Sequence, residues 1–201
     1  MNCHPDHLVI AARTLGEGIG HVFRRLGVSP TPGGRHARMG THNALLSLGP
    51  DRYLEVIAID PDAPAPPQPR WFGLDHFTGM PRLVHWVARC GAIEALRPDD
   101  CRVLEMERGD FRWRFAVTTD GMPALDGTVP ALIQWQAGGH PCNRLPDHGL
   151  RLKRLTLAHA QPQRLHGELA RLGLAEAQEI AAAGPPLCAE IQIGGKVVAL
   201  V

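Results

Sequence analysis

The sequence predicts an α+β fold in which two paired βαβββ modules form a cleft from curved mixed sheets, followed by a C-terminal βαββ extension. Three observations predict it. Short β-rich runs and one amphipathic helix recur in the same order over residues 1–62 and 81–140. A connector, 63–80, crowded with prolines at its start, separates the two stretches. A further strand, helix and hairpin pattern fills 150–201, and at 201 residues the chain can bury all of this in one compact unit.

In the first module, residues from His7 to Ala12 form an apolar run suited to a strand. Thr14-Leu15-Gly16-Glu17 has the spacing of a capping box, with the Thr14 hydroxyl accepting an early helix N–H and Glu17 reaching back. Ile19, Val22, Phe23 and Leu26 then recur at helical spacing, and Gly27 supplies the stop. Residues 29–40, rich in glycine, proline and basic groups, read as loop or a short edge segment. Asn43 to Leu48 and Tyr53 to Ile59 are strands joined by the turn residues Gly49-Pro50-Asp51-Arg52.

The second module repeats this order. Arg82 to Arg89 is a strand, Ala92 to Arg97 a short helix that Pro98 ends, and Arg102 to Met106 and Phe111 to Val117 flank a turn at Glu107-Arg108-Gly109-Asp110. Phe111, Trp113 and Phe115 share one face while Arg112 and Arg114 take the other, the alternation of a half-buried strand. Ala131 to Gln136 closes the module. In the extension, Leu152 to His159 is a strand, Gln163 to Leu172 a helix, and Glu190 to Ile193 pairs with Lys196 to Val201 across Gly194-Gly195.

Composition narrows the function classes. Twenty-one Lys and Arg against twenty Asp and Glu leave a net charge of +1 with no long run of one sign, so neither nucleic acid nor an anionic membrane surface is the expected partner. The five scattered cysteines form no C-x-x-C pair, which argues against a zinc knuckle or a disulfide framework and fits a reducing compartment. With no targeting pattern at the start and no long apolar run, a cytoplasmic protein is expected, as monomer or homodimer. The two serines, Ser29 and Ser47, stand in no nucleophile elbow, and Gly33-Gly34 lacks the nucleotide-binding G-x-G-x-x-G pattern.

Laying the modules over one another exposes a candidate site. His7 precedes Glu55 by 48 residues and His85 precedes Gln134 by 49, each pair lying on the first and last strand of its module. Strand alternation turns these side chains away from Leu8, Ile10, Leu54 and Val56, toward a cleft between the modules. Two imidazoles, a carboxylate and an amide oxygen are competent to hold a divalent ion such as Zn, Fe, Mn, Ni or Co, with positions left open for substrate. The alternative is ordinary: strand histidines are commonly satisfied core or surface residues.

The segments Asp6-His7-Leu8-Val9, Gly33-Gly34-Arg35-His36, Gly40-Thr41-His42-Asn43-Ala44-Leu45-Leu46, Tyr53-Leu54-Glu55-Val56-Ile57 and Phe72-Gly73-Leu74, together with Trp86 and Trp135, resemble the glyoxalase-like domain family of the vicinal-oxygen-chelate superfamily. The resemblance implies a cleft between paired modules, with His7, Glu55, His85 and Gln134 as metal ligands. It also implies a metal-dependent lyase or isomerase acting on a small oxygen-rich organic substrate. Gln134 departs from the pattern, because many active members carry a second carboxylate there. The alternatives are a non-catalytic small-molecule binding or sequestering protein and an extradiol-type dioxygenase.

Around that site, Glu55 is the candidate base and His42 a second proton-handling residue, with Tyr53 a further candidate for catechol chemistry. Arg35, His36, Arg38 and His42 can make an anion pocket for substrate or form a solvated basic loop, Asn43 is a further substrate-binding candidate, and Trp86 and Trp135 can wall an apolar cleft. Trp71 and Phe72 either close over a ligand or pin the connector to the core.

Overall fold

The computed structural model describes residues 3–176 and 178–201. The first module comprises β1 (His4–Ala11), α1 (Leu15–Leu26), β2 (Thr31–His36), β3 (Thr41–Ser47) and β4 (Tyr53–Ile59). The second comprises β5 (Arg82–Arg89), a single turn α2 (Ile93–Leu96), β6 (Cys101–Arg108), β7 (Phe111–Thr118) and β8 (Ala131–Ala137). The extension follows as β9 (Arg151–Ala158), α3 (Pro162–Arg171), β10 (Glu179–Ala181), β11 (Leu187–Ile193) and β12 (Lys196–Leu200).

The modules fuse into one eight-stranded sheet in the order β2-β3-β4-β1-β5-β8-β7-β6. Each module contributes its first strand to the centre, where β1 and β5 run antiparallel, and each first strand pairs in parallel with its own module's last strand. The two halves are therefore related as the repeat predicts. The extension forms a second sheet, β10-β9-β11-β12, with one strand more than the sequence suggests, since β10 is only three residues long.

Side-chain alternation divides the core into two layers. Leu8, Ile10, Leu54, Val56 and Trp86 face the helices and the second sheet, joined by Leu155, Leu165 and Ile191. Val9, Ile57, Val87 and Ile133 face the opposite side and pack with Trp71, Phe72, Trp113 and Phe115. The extension thus backs the main sheet and leaves its other, aromatic face as the cup. Among the described residues no helix is long and apolar enough to cross a membrane.

Two local expectations need correction. The Glu17 amide does donate to Thr14 Oγ1 at 3.2 Å, but the Glu17 carboxylate binds Arg13 at 2.7 Å instead of closing the capping box. Phe23 is 53% exposed: Gly18, Val22 and Leu26 define the buried stripe, and Phe23 falls about 100° away from it.

Candidate active site

Tyr53 stands opposite His7 and Glu55 opposite Val9 in the parallel pairing of β1 with β4, which brings His7, Tyr53 and Glu55 to the cup side of the sheet. His7 and Tyr53 stack with ring centroids 4.5 Å apart. Asp6 should point the other way by alternation. The register of β1 on β5 shifts between Pro5 and His7, however, and this bulge swings Asp6 to the same side. Proline, which has no N–H to give to the ladder, is well placed next to such a bulge.

The result is a buried chain of polar groups. His7 Nδ1 donates to Asp6 Oδ1 at 2.7 Å, and His7 Nε2 faces Glu55 Oε2 at 3.6 Å. Asp6 Oδ2 accepts from Trp135 Nε1 at 3.0 Å and His140 Nε2 at 3.1 Å. On the other side, Asn43 Nδ2 donates to Glu55 Oε1 at 2.5 Å. His36 Nε2 accepts from Arg108 Nη1 at 3.3 Å, while its Nδ1 donates to Thr41 Oγ1 at 3.1 Å.

Gly33 and Gly34 make room for this arrangement. A Cβ at Gly33 would lie 2.2 Å from Asn43 Oδ1, and one at Gly34 would lie 2.8 Å from Arg108 Cδ. Gly34 also has φ +146°, a conformation that side-chain-bearing residues rarely adopt. The glycine pair is therefore a space-making device for the site.

The electrostatics follow from burial and pairing. Burial by itself would lower the pKa of His7, but its bonds to Asp6 and Glu55 and their charges lift it to about 9. Burial would raise Glu55, but the His7 hydrogen bond and charge, helped by His36 and Asn43, hold it at about 2. Asp6 likewise lies below the usual carboxylate range, because His140 and His7 outweigh its desolvation. His7 and Glu55 therefore form an imidazolium–carboxylate pair at neutral pH. His36, pushed down to about 4 chiefly by burial, is neutral.

Above the pair lies a small cavity of about 20 Å³, room for roughly one water-sized group, walled by Trp71, Phe72, Trp113, Phe115 and Trp135. His36 and Arg108 also line it. A larger ligand must displace part of that wall.

Of the residues singled out in the sequence, His7, Tyr53, Glu55, His36, Asn43, Trp71, Phe72 and Trp135 come together here. Asn43 acts on Glu55 and is not part of the cavity wall. The others require correction. Gln134 lies on the opposite face, where its Oε1 accepts from the Ile93 amide at 3.3 Å and its Nε2 donates to the Gly91 carbonyl at 3.1 Å. Ile133 and Trp135 take the cup side instead. His42 alternates with Asn43 and so falls on the helix side of β3 with Leu46. Trp86 is wholly buried in the helix-side core, its Nε1 donating to the Thr128 carbonyl at 2.8 Å. Arg35 is exposed and paired with Asp60 at 3.3 Å and Asp62 at 3.0 Å, outside the cup.

His85 does face the cup side, but it lines a neighbouring cavity that Trp71, Phe72 and Phe115 share as a common wall. Its Nδ1 donates to the Gly127 carbonyl at 3.0 Å, and burial lowers its pKa to about 4, against that bond. As metal donors, then, His7 Nε2 and Glu55 stand together, with Asp6 orienting the imidazole as outer carboxylates do in metal sites. Among the described residues no three His, Cys, Asp or Glu side chains gather to hold an ion. The residues present fit half of a chelate.

Register explains which half. Val9 pairs with Glu55, and its counterpart Val87 pairs with Ala131. Ala131 therefore occupies the position equivalent to Glu55, three residues before Gln134. The sequence reading missed Asp6, Arg108 and His140. The Asp6-His7 adjacency beside Pro5 was the available signal for the first; the other two arrive through tertiary packing.

The model of the family described as "Glyoxalase-like domain" matches residues 6–173. Among solved structures, a hypothetical protein from Staphylococcus aureus aligns over 99% of this chain and 84% of its own, at 14% identity and a TM-score of 0.56, which shows a shared fold. Methylmalonyl-CoA epimerase from Mycobacterium tuberculosis aligns over 67% of this chain and 88% of its own, at 18% identity and a TM-score of 0.44. A hypothetical protein from Bacillus halodurans C-125 aligns over 67% and 94%, at 11% identity and 0.43. No curated protein matches the chain.

Proposed function

The chain belongs to the glyoxalase-like domain family, and from that premise we propose that it is an isomerase or lyase that moves a proton on a small oxygen-rich organic substrate held in the cup. The observation that carries this reading is the Glu55 carboxylate, buried in an aromatic cavity with one oxygen fixed by Asn43 and the other facing the His7 imidazole. A carboxylate in that setting is a positioned base with water largely excluded.

In this reading Glu55 takes a proton from a carbon next to a carbonyl, and the electron pair left behind moves onto the carbonyl oxygen. The His7 imidazolium and the Arg108 guanidinium are the donors available to that oxygen. When His7 turns its N–H toward the substrate, Glu55 loses the partner that keeps it acidic and becomes a stronger base. Returning the proton to the former carbonyl carbon, while a hydroxyl on the deprotonated carbon passes its own proton to the enolate oxygen and becomes the new carbonyl, completes an isomerisation. Expelling a leaving group, with its bonding electrons, from the carbon on the other side of the deprotonated one instead completes a lyase step, the enolate re-forming its carbonyl as the new double bond closes.

The cofactor proposal narrows to a divalent ion, Zn, Fe, Mn, Ni or Co, held by His7 Nε2 and Glu55. When bound it would polarise the substrate oxygens. Such an ion must displace the Nε2 proton, so its affinity rises with pH up to about 9.

The test is deuterium wash-in. α-Ketoaldehyde–thiol adducts are incubated with the protein in D2O and exchange is followed by proton NMR. Wild type should exchange the proton next to the carbonyl, and Glu55→Gln should lose at least about a hundredfold in rate. Exchange that survives Glu55→Gln sinks the assignment. A second reading, a non-catalytic binding protein, is favoured by Ala131 standing where a second carboxylate would face the site. Tight binding of a ligand in the cup without exchange would select it. Extradiol chemistry has less support, because His85 is walled off from His7 and Glu55.

A further inference from the structure

The cavity beyond the shared wall has its own chemistry. It measures about 150 Å³, the size of an engineered core cavity that accepts benzene. Its lining is mostly apolar, with Phe72, Phe115, Leu125, Val129, Ala131 and Leu132 around a single imidazole, His85. The charged residues that line it, Asp100, Arg164 and Glu168, occupy exposed or half-buried positions, so charge is confined to its outer wall.

His85 is 4% exposed. Its Nδ1 bonds to the Gly127 carbonyl, which can only accept, so Nδ1 carries the proton and Nε2 is an acceptor. Nε2 has no hydrogen-bond partner among the described residues. The residue as a whole is buried and lines the cavity, so an acceptor that no protein donor meets is open to a donor held there.

Backbone strain marks the same place. Among the described residues, three that are not glycine have positive φ: Phe72 at 60°, Leu125 at 45° and Asp126 at 55°. The first two line the cavity and the third follows Leu125. Strain of this kind persists only where packing enforces it, and it gathers at ligand clamps. Gly127, whose carbonyl accepts from His85, follows at φ +86°, and a Cβ there would lie 2.2 Å from the Val84 carbonyl oxygen. The lining residue Met122 is 42% exposed, which gives the cavity a way in.

We propose that this cavity is a second ligand site, taking a small apolar molecule with one hydroxyl, of the phenol class, whose O–H donates to His85 Nε2. The rings of Phe72 and Phe115 take the apolar body, and Met122 stands at the entrance. An anion or a metal ion is the wrong occupant: the charged residues of the lining occupy exposed or half-buried positions, and among the described residues no group of three His, Cys, Asp or Glu side chains could hold an ion. The site does not depend on Glu55 being a base.

Calorimetric titration of the intact chain with phenol and with toluene tests this, with the change in its tryptophan fluorescence as a second readout. One phenol should bind per chain, with toluene at least about tenfold weaker. His85→Leu should level the two affinities. Ala131→Leu, which fills the cavity without touching the bond from His85 to Gly127, should abolish phenol binding while circular dichroism stays native. Glu55→Gln should leave the phenol affinity unchanged. Absence of phenol binding at millimolar concentration, equal affinities for phenol and toluene in the wild type, or binding that survives Ala131→Leu but not Glu55→Gln would each overturn the proposal. The wild-type phenol-to-toluene ratio decides the matter even where a variant folds poorly.

Discussion

His7 and His85 occupy equivalent positions in the two modules, down to the bulge beside each: the β1–β5 register skips Asp6 on one strand and Val84 on the other. What surrounds them differs. The first histidine has Asp6 at its back, Tyr53 stacked on its face and Glu55 in front. The corresponding positions in the second module, following the same register, are Val84, Val129 and Ala131. One half of the repeat keeps a charged relay and the other keeps a lone neutral imidazole in an apolar chamber. A shared backbone fixes where side chains point; the neighbours fix their protonation state and hence their chemistry.

The largest effect should come from removing the group that sets the halves apart. Glu55→Gln is expected to reduce proton exchange about a hundredfold or more, as measured by deuterium wash-in. Its effect on the second cavity should be nil.

Asp6→Val makes the first half resemble the second. It removes a buried carboxylate that accepts from His7, Trp135 and His140, and it leaves those donors unpaired. Loss of one partner from a buried ion pair costs about 3–5 kcal/mol, so thermal unfolding should move down by many degrees. The His7 pKa, followed by NMR of the ring protons, should fall from about 9. An unchanged His7 titration would mean that Asp6 does not set its charge.

Acid and base separate the halves without mutation. His7 is raised above its ordinary value of 6.5 to about 9, so the stability it contributes is complete below about pH 6.5 and is lost as pH rises through 9. Glu55 is lowered from 4.5 to about 2, so its contribution is complete above about pH 4.5 and is lost as pH falls toward 2. Denaturant titrations should therefore show this pair's contribution flat between about pH 4.5 and 6.5 and declining on either side. His7→Gln should flatten the alkaline limb. An alkaline limb unchanged in that variant would break the ion-pair assignment.

Much of the fold was legible in the chain because it is written in local chemistry. The Arg82–Arg89 strand has the bounds read from the sequence, and the Thr14 cap and the Gly194-Gly195 hairpin stand where turn and cap residues put them. The three-residue β10 carries too little pattern to be seen. In the site, His7 and Glu55 could be found from alternation, which is local. Asp6 could not, because a bulge cancels alternation at that residue. Arg108 reaches the cup only through the space left at Gly34, which no neighbouring residue in sequence reveals.

Gln134 is the most instructive error and gives the smallest prediction. Matching Glu55 to Gln134 shifts the chain by 79 residues, whereas the strand register equates Glu55 with Ala131, a shift of 76. In a strand any displacement by an odd number of residues exchanges the two faces, so this mismatch of three moves the side chain from the cup to the back of the sheet. There Gln134 ties down the start of α2 through the Ile93 amide and the Gly91 carbonyl. Gln134→Ala should therefore cost only about 0.5–1.5 kcal/mol in denaturant unfolding, the usual net worth of such bonds, and leave exchange at Glu55 intact. A collapse of activity with stability preserved would return Gln134 to the cup and overturn the register on which the comparison of the two halves rests.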